Sequence, residues 1–155
     1  MRRARLSVIA LAFMVIAACS IEPRAVHLGS DECAHCRMVV EDTRFAAQLL
    51  TDRGRSEMFD AIECLGGALA AGTYAEEEIH SLWVADFYED GRWVPAGEAY
   101  FVHSPGIRSP MGAGLAAHGE RSGAEAHMAE VGGHLMTWEQ VLTVTAQGGG
   151  HAHHH

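Results

Sequence analysis

The sequence predicts an α+β fold made of two tandem ββα(β)-type halves with mostly antiparallel strands. Two pairs of strand-like segments support this prediction, residues 43–51 with 56–59 and residues 79–88 with 92–95, because a short turn sequence joins the members of each pair. A stretch with helical spacing of apolar side chains follows the first pair. Hairpins that alternate with helices indicate an α+β domain, and 155 residues suffice for one hydrophobic core.

The helix after the first hairpin is predicted from its capping residues and its apolar face. Asp60 is predicted to cap the helix, with Glu63 three positions later as its partner in a capping box. Gly72 is predicted to end the helix. Cys64 falls on the apolar face, where a small buried hydrophobe is the favoured role and a metal ligand is the alternative.

The second half contains short strands, one long loop and two further helices. Ser122 with Glu125, and Thr137 with Gln140, are the capping pairs that predict where the two helices begin. The predicted elements are, in order, a strand over 99–103, a loop over 104–114, a strand over 115–117, a helix over 122–131, a strand over 134–136 and a helix over 137–144.

Residues 1–18 predict a secretory signal peptide that is not part of the folded domain. Three arginines precede an apolar run over residues 6–18, which is too short for a comfortable membrane span. Small residues directly before Cys19 resemble a bacterial lipobox, which predicts cleavage before Cys19 and acylation of its thiol. An ordinary signal peptide, or an anchor formed by residues 6–18, is the alternative.

This processing divides the rest of the chain into three parts. Residues 19–30 are predicted to be the lipidated cysteine and a linker, residues 31–145 the folded domain, and residues 146–155 a flexible tail rich in Gly and His. The imidazoles of the tail are expected to be solvated and to bind divalent copper or zinc weakly.

The charge balance excludes two classes of function. The formal net charge is −9, and removal of residues 1–18 deletes three arginines and no acid, which takes the charge to −12. Such a balance argues against binding to nucleic acid and against adhesion to anionic lipid through basic residues. It is compatible with attraction to a metal cation or to a basic partner.

The segment over residues 31–40, DECAHCRMVV, places Cys33, His35, Cys36 and Met38 within six positions. Thiolate and thioether are soft ligands, which favour Cu(I) over harder divalent ions, whereas a zinc site would be expected to offer more thiolates and imidazoles. Four cysteines become three once one of them is lipidated. At least one thiol is then unpaired in an oxidising compartment, and metal binding accounts for it.

Residues 31–38 are expected to form a loop that runs into a strand. We expect Cys36 and Met38 to bind Cu(I), because their side chains would lie on one face of a strand and can also converge in a loop. Met111 is the leading candidate for a third ligand, since a Met in a loop rich in Pro and Gly is not explained by helix or strand packing. Filling a gap in the core is the alternative for Met111. Possible additional ligands are Cys33, His35 and His103, and the imidazoles of His103 and His118 are expected at the surface.

Other uses of the thiols remain open from the residues alone. Cys33 pairs with Cys36 or with Cys64 if the protein holds a disulfide. A thiol-disulfide oxidoreductase using Cys33 and Cys36 would place the CxxC motif at the start of a helix, and no helix pattern follows Cys36. A hydrolase or lyase with a Cys nucleophile would need a His and an orienting carboxylate, and no motif identifies them.

Several motifs, taken in order, give the chain a resemblance to the NosL family. They are Asp31-x-Cys33-x-x-Cys36-x-Met38, FAAQ at 45–48, Phe59-Asp60, SPMG at 109–112, and Gly132-Gly133 leading into TWE at 137–139. NosL proteins are lipoproteins encoded with the nitrous oxide reductase system, and their fold is similar to tandem ββαβ domains. The resemblance covers residues 19–145 and implies metal binding by Cys36 and Met38, with Met111 as a further ligand.

The resemblance also implies where the protein works and with which partner. It implies a Cu(I) chaperone in the periplasm, anchored by lipid to a membrane, with the outer membrane favoured over the inner. The copper is expected to serve assembly of the copper centres of nitrous oxide reductase, through that enzyme or its membrane assembly complex. The chain itself is not expected to be an enzyme.

Overall fold

The structure is a computed structural model that describes residues 21–148. Its strands form two antiparallel sheets, one of four strands and one of three. The predicted signal peptide, Cys19 and the sequence beyond residue 148 lie outside the described residues. Within residues 21–148, no helix is both long enough and apolar enough to cross a bilayer.

The first half forms the four-stranded sheet. Its elements are β1 (Ala47–Thr51), β2 (Ser56–Phe59), α1 (Ile62–Ala70), β3 (Ile79–Ala85) and β4 (Trp93–Pro95). The strand order is β2-β1-β3-β4, and every neighbouring pair is antiparallel. Both predicted hairpins, β1 with β2 and β3 with β4, are therefore confirmed.

The second half forms the three-stranded sheet. Its elements are β5 (Tyr100–His103), β6 (Leu115–His118), α2 (Arg121–Val131), β7 (His134–Met136) and α3 (Trp138–Gly148). The strand order is β6-β5-β7. In each half the first strand is central, and its hairpin partner and the strand after the helix flank it. This shared ββαβ order confirms the predicted α+β fold of tandem halves.

One hydrophobic core joins the two halves. Phe59 of β2, Leu65 of α1, Phe101 of β5 and Val141 of α3 are completely buried within a single cluster. Burying one such side chain contributes about 1.5–3 kcal/mol. Because α1 from the first half packs along α3 from the second, the halves share the core and do not form separate domains.

Two predicted strands extend too far, and a carboxylate accounts for each difference. Residues 43–45 form a 3-10 turn before β1, because the Asp42 carboxylate accepts a hydrogen bond from the Arg44 backbone N–H at 3.0 Å. β3 ends before Asp86, because the Asp86 carboxylate accepts hydrogen bonds from the Tyr88 N–H two residues further on and from the distant Gly119 N–H, which turns the chain out of the sheet.

The capping predictions are right for the last helix and wrong for the other two. The Gln140 side chain accepts a hydrogen bond from the Thr137 backbone N–H at 2.9 Å, as predicted for α3. Neither α1 nor α2 has a side-chain cap. Asp60 and Glu63 accept hydrogen bonds from other parts of the chain, and Glu125 pairs with the arginine one turn before it.

α3 continues to residue 148 and does not end near residue 144 as predicted. The cause is its packing against α1, where Thr145 is buried and its hydroxyl donates a hydrogen bond back to the helix backbone. Gly66 of α1 provides the necessary space, since a Cβ atom there would lie 2.3 Å from Thr145 Oγ1. Residues 146–148 therefore belong to the helix and not to a flexible tail.

Part of the predicted linker is fixed to the domain. The completely buried side chain of Gln48 in β1 accepts a hydrogen bond from the Arg24 N–H at 3.1 Å and donates one to the Arg24 carbonyl at 2.6 Å. The Arg24 guanidinium makes two hydrogen bonds of 2.8 Å to Asp31, and they lower the pKa of that carboxyl. The folded unit therefore includes the chain from Arg24 onward.

The expected surface position of His118 is wrong. Its side chain is 1% exposed, and its Nε2 lies 3.0 Å from Nδ1 of His127, which is buried on α2. Phe87 stacks on the His127 ring with 4.4 Å between the ring centroids. Burial lowers the pKa of His118 to about 4, so this imidazole is neutral at neutral pH and is part of the protein interior.

Gly66→Ala tests the close packing of α1 against α3. Alanine is the better helix former by about 1 kcal/mol, but its methyl group would overlap Thr145. We therefore expect a net loss of about 1–2 kcal/mol in the free energy of unfolding, measured by urea unfolding of the reduced chain. Gly97→Ala is the control, since among the described residues nothing beyond its neighbours lies within 4 Å of a Cβ placed there. A more stable Gly66→Ala protein would contradict the packing.

Candidate metal centre

A tight hairpin presents the CAHC sequence of the predicted site. The Val40 N–H donates to the Asp31 carbonyl at 2.8 Å, and the Cys33 N–H donates to the Met38 carbonyl at 2.7 Å. Arg37 completes the turn with a φ of 68°, a left-handed conformation that is uncommon for a residue with a side chain. The segment predicted as a loop running into a strand is therefore a closed turn.

The hairpin brings four metal-ligating side chains together. The sulfur atoms of Cys33, Cys36 and Cys64 and a carboxylate oxygen of Asp60 all lie within 4.8 Å of one another. α1 supplies Cys64, and Asp60 lies between β2 and α1. Cys33, Cys64 and Asp60 are buried, whereas Cys36 is half-buried. This thiol cluster thus combines three buried groups with one that reaches solvent.

The thiol cluster favours a single thiolate at neutral pH. A hydrogen bond from the Cys64 thiol, with backbone N–H donors of Cys36 and Asp60, lowers the pKa of Cys33 to about 6. Burial raises the pKa of Cys36 to about 11, and its thiol donates to the Asp60 carboxylate at 3.5 Å. The hydrogen bond to Cys33, together with burial, also raises the pKa of Cys64. Two thiol protons therefore remain for a metal cation to displace.

The geometry supports metal binding over dithiol exchange. All three described cysteines are free thiols. The CxxC motif lies in a hairpin, whereas a thioredoxin-like dithiol lies at the N-terminus of a helix. A cluster of sulfur atoms suits soft or borderline metal ions and disfavours calcium and magnesium, which prefer oxygen.

Both methionines predicted as copper ligands are exposed. Met38 is 52% exposed on the hairpin, two residues after Cys36, and Met111 is 47% exposed. The alternative role of Met111, filling a gap in the core, is therefore wrong. An exposed thioether is available to a metal ion or to a partner, and the role of both side chains as ligands stays a prediction.

A cleft of about 440 Å³ gathers the remaining predicted residues. His35, His103 and Met111 line this cleft, and Cys64 of the thiol cluster lines it as well. The His35 ring lies against α1, with its Nε2 only 3.1 Å from the position of a Cβ on Gly67. The structure thus brings one thioether and two imidazoles to a common cleft beside the thiol cluster.

Glu63 fastens the loop that carries Met111 to α1. The Ser109 hydroxyl and the Ala113 N–H both donate hydrogen bonds to Glu63 Oε1. Glu63 Oε2 is buried and has no hydrogen-bond partner among the described residues. The position of Met111 over α1 therefore depends on a carboxylate that the sequence pattern predicts as part of a helix cap.

Asp60 and Cys64 were not selected as ligands from the sequence. Their four-residue separation at the start of a helix was one indication that both side chains reach the same site. The uneven number of thiols left after lipidation was another. Cys64 was assigned to the core because burial and metal binding predict the same apolar helix face, and the structure shows that it is both buried and part of the cluster.

These observations define a small α+β domain with a thiol-rich candidate metal site between a hairpin and a helix. The family model described as NosL matches residues 25–145. The chain belongs to the NosL family, as the motifs of the sequence indicated.

One curated protein and one solved structure are similar to this chain. The copper-binding lipoprotein NosL of Stutzerimonas stutzeri is 31% identical over 130 residues, which span 79% of this chain and 67% of that protein. The crystal structure of the copper chaperone NosL from Shewanella denitrificans matches with a TM-score of 0.67 at 21% identity, covering 78% of this chain and 96% of that one. Neither relative is named as an enzyme, which agrees with the prediction for this chain.

The metal-free, reduced protein should gain one thiolate as the pH rises through about 6. Because the pKa of folded Cys33 lies below its ordinary value of 9.0, ionisation stabilises the fold fully above pH 9.0, and this contribution is lost as the pH falls through about 6. Far-ultraviolet thiolate absorbance measures the step. Cys33→Ala should abolish it, and Cys64→Ala should raise its midpoint by removing the main donor. A step that persists in Cys33→Ala would contradict the assignment.

Proposed function

We propose that this protein is a membrane-anchored metallochaperone that binds Cu(I) in the periplasm and delivers it for assembly of the copper centres of nitrous oxide reductase. The observation that carries the proposal is the cluster of three sulfur atoms and one carboxylate. Membership of the NosL family supports it, since the relatives are named a copper-binding lipoprotein and a copper chaperone.

The ligands favour copper in its reduced state. Thiolate and thioether sulfur are the ligands that select Cu(I) among the common biological metals. Cys33 supplies a thiolate that is already ionised at neutral pH. Cys36 and Cys64 lose their protons when the ion arrives, and the exposed thioether of Met38 stands beside Cys36 in the sequence as a further soft ligand.

The exposure of the ligands explains how the ion is released. Cys36 is half-buried and Met38 is about half exposed, so a sulfur or imidazole of a partner reaches the copper from solvent. The incoming ligand binds before a resident ligand leaves, and no free copper forms. The buried Cys33 and Cys64 retain the ion until that exchange begins.

Features outside the metal site support the proposed location and the proposed partner. The lipobox ending at Cys19 supports a lipid anchor, with the outer membrane favoured, and several acyl chains on one residue hold a protein firmly at a membrane. The acidic mature chain suits a partner with a basic face. That partner is proposed to be nitrous oxide reductase or its membrane assembly complex.

Cys36→Ala should lower the affinity for Cu(I) by more than about 100-fold, beyond the 10–100-fold loss that is typical for residues next to metal ligands. Met38→Leu should weaken binding less, because it removes one thioether and retains the apolar volume. Competition with a colorimetric Cu(I) chelator under reducing conditions measures both affinities.

Met58→Leu is the matched control, since Met58 is 3% exposed in a separate part of the core. It should leave the affinity for Cu(I) unchanged. Unaltered binding by Cys36→Ala, or a preference of the wild-type protein for zinc over Cu(I), would refute the proposed site.

Cys19→Ala should release the protein from membranes, because it removes the thiol that carries the lipid. Fractionation of cells that express the full chain, followed by immunoblotting, measures the shift from pellet to soluble fraction. Cys64→Ala serves as the control, since it removes a thiol from the domain and leaves the lipobox intact. Continued sedimentation of Cys19→Ala would indicate an anchor of another kind.

A further inference from the structure

Two histidines lie directly opposite each other on the three-stranded sheet. His103 ends β5 and His134 begins β7, and the antiparallel register pairs these two residues. Cross-strand partners of this kind have Cβ atoms about 4.5–5.5 Å apart and share one face of the sheet. The centroids of the two imidazole rings lie 5.2 Å apart. Both rings are therefore within reach of one bound atom.

A glycine brings the start of β7 this close to β5. Gly133 has a φ of 89°, in the left-handed region that favours glycine, and a Cβ atom there would overlap the carbonyl oxygen of His103. The chain that leaves α2 approaches β5 because this side chain is absent. The backbone thus fixes the spacing of the two histidines.

The two rings are accessible, and other groups do not occupy their nitrogen atoms. The side chain of His103 is half-buried and that of His134 is exposed. Within residues 21–148, the histidine rings that make hydrogen bonds are those of His80, His118 and His127. The imidazoles of the cross-strand pair therefore keep their nitrogen atoms available for a ligand from solvent.

The separation of the rings suits a metal ion. An imidazole nitrogen binds such an ion at about 2.0–2.1 Å, so two imidazoles at neighbouring coordination positions have ring centroids roughly 4.5–5.5 Å apart. The separation of 5.2 Å between His103 and His134 falls in this range. The pair contains no sulfur, and imidazole ligands suit divalent ions, among which Cu(II) binds most tightly.

We propose that His103 and His134 form a second metal site, which binds divalent copper and, more weakly, zinc. This His pair is separate from the thiol cluster and does not depend on the function proposed above. Among the described residues, no third His, Cys, Asp or Glu joins the pair closely enough to complete a set of three. Water therefore fills the other coordination positions, and the ion exchanges with the solution.

The His pair and the thiol cluster select different oxidation states of copper. His103 lines the cleft beside the thiol cluster, and Cys64 lines the same cleft. Imidazoles bind Cu(II), whereas sulfur ligands select Cu(I). A divalent ion on the His pair is bound by nitrogen atoms at the surface, away from the buried thiols. The two sites thus give one chain separate places for the two forms of the metal.

Nuclear magnetic resonance of the imidazole nitrogens tests the ligand set, with Zn(II) as a probe that does not oxidise thiols. The histidines within residues 151–155 are replaced by Ala in every sample, so that they do not compete for the ion. As Zn(II) is added to the reduced protein, the signals of His103 and His134 should shift with one common midpoint. Separate midpoints, or no shift at an excess of Zn(II), would overturn the inference and leave only an edge-on contact between two rings.

His134→Ala should lower the affinity of the site for Zn(II) by about 100-fold or more, because two linked ligands bind more tightly than one by a factor of about 10²–10⁴. It should leave the affinity for Cu(I), measured by chelator competition, unchanged. His80→Ala is the matched control, since His80 is an exposed histidine on another strand whose ring lies beside Asp52. A His103 signal that keeps its midpoint in His134→Ala would contradict the paired site.

Electron paramagnetic resonance tests the identity of the ion. One equivalent of Cu(II) is added to protein whose thiol cluster already holds Cu(I), which gives no signal in this measurement. The spectrum should show Cu(II) bound by two nitrogen atoms, and His134→Ala should lose this species. A spectrum of hydrated Cu(II) alone would overturn the assignment of divalent copper. Protein that fails to bind Cu(I) would refute only the proposed function, because the zinc titration still decides the His pair.

Discussion

Four ionisable groups packed within 4.8 Å of one another are the constraint on which the rest of the structure depends. Three thiols and a carboxylate at that spacing cannot all ionise without a cation, because each negative charge opposes the next. The fold resolves the conflict by ionising Cys33 and keeping the other two thiols protonated as hydrogen-bond donors. A soft cation would resolve it differently, by replacing the two remaining protons and binding all three sulfurs. Metal binding and the internal hydrogen bonds of the cluster therefore use the same atoms.

The two halves of the molecule contribute different parts of the site. The first half, with the hairpin before it, supplies every member of the thiol cluster. The second half supplies Met111, His103 and the end of α3, which line the adjacent cleft. Two contacts fix the position of one half against the other. They are the hydrogen bond from Ser109 to Glu63 and the close approach of Thr145 to Gly66. The first half, with the hairpin before it, thus carries the candidate metal centre, and the second half supplies most of the wall of the adjacent cleft.

Local patterns account for what the sequence predicted well. The hairpins, the short strands of the second half and the Thr137–Gln140 cap depend on turn residues and on neighbours within a few positions. The errors concern side chains whose partners are distant in sequence. Asp60 and Glu63 have the pattern of helix caps, yet their partners lie on the hairpin and on the loop after β5. The sequence predicts a surface position for His118, because nothing near it in sequence shows that His127 on α2 provides a buried partner.

A metal carrier must hold its ion and also release it, and under the proposed function the unequal burial of the cluster's side chains serves both needs. Affinity for a soft metal ion comes from sulfur atoms that are buried away from solvent, since a thiolate binds such an ion strongly when water does not compete. Release depends on the barrier to exchange and on the ligands that the partner offers. A site with every ligand buried would have to unfold locally before a partner reached the ion. Here Cys36 is half-buried, Met38 and Met111 are about half exposed, and Cys64 opens onto a cleft. Under the proposed function, an incoming ligand adds to the ion while the buried sulfurs remain bound, and the direction of transfer follows from which protein offers the better set of ligands.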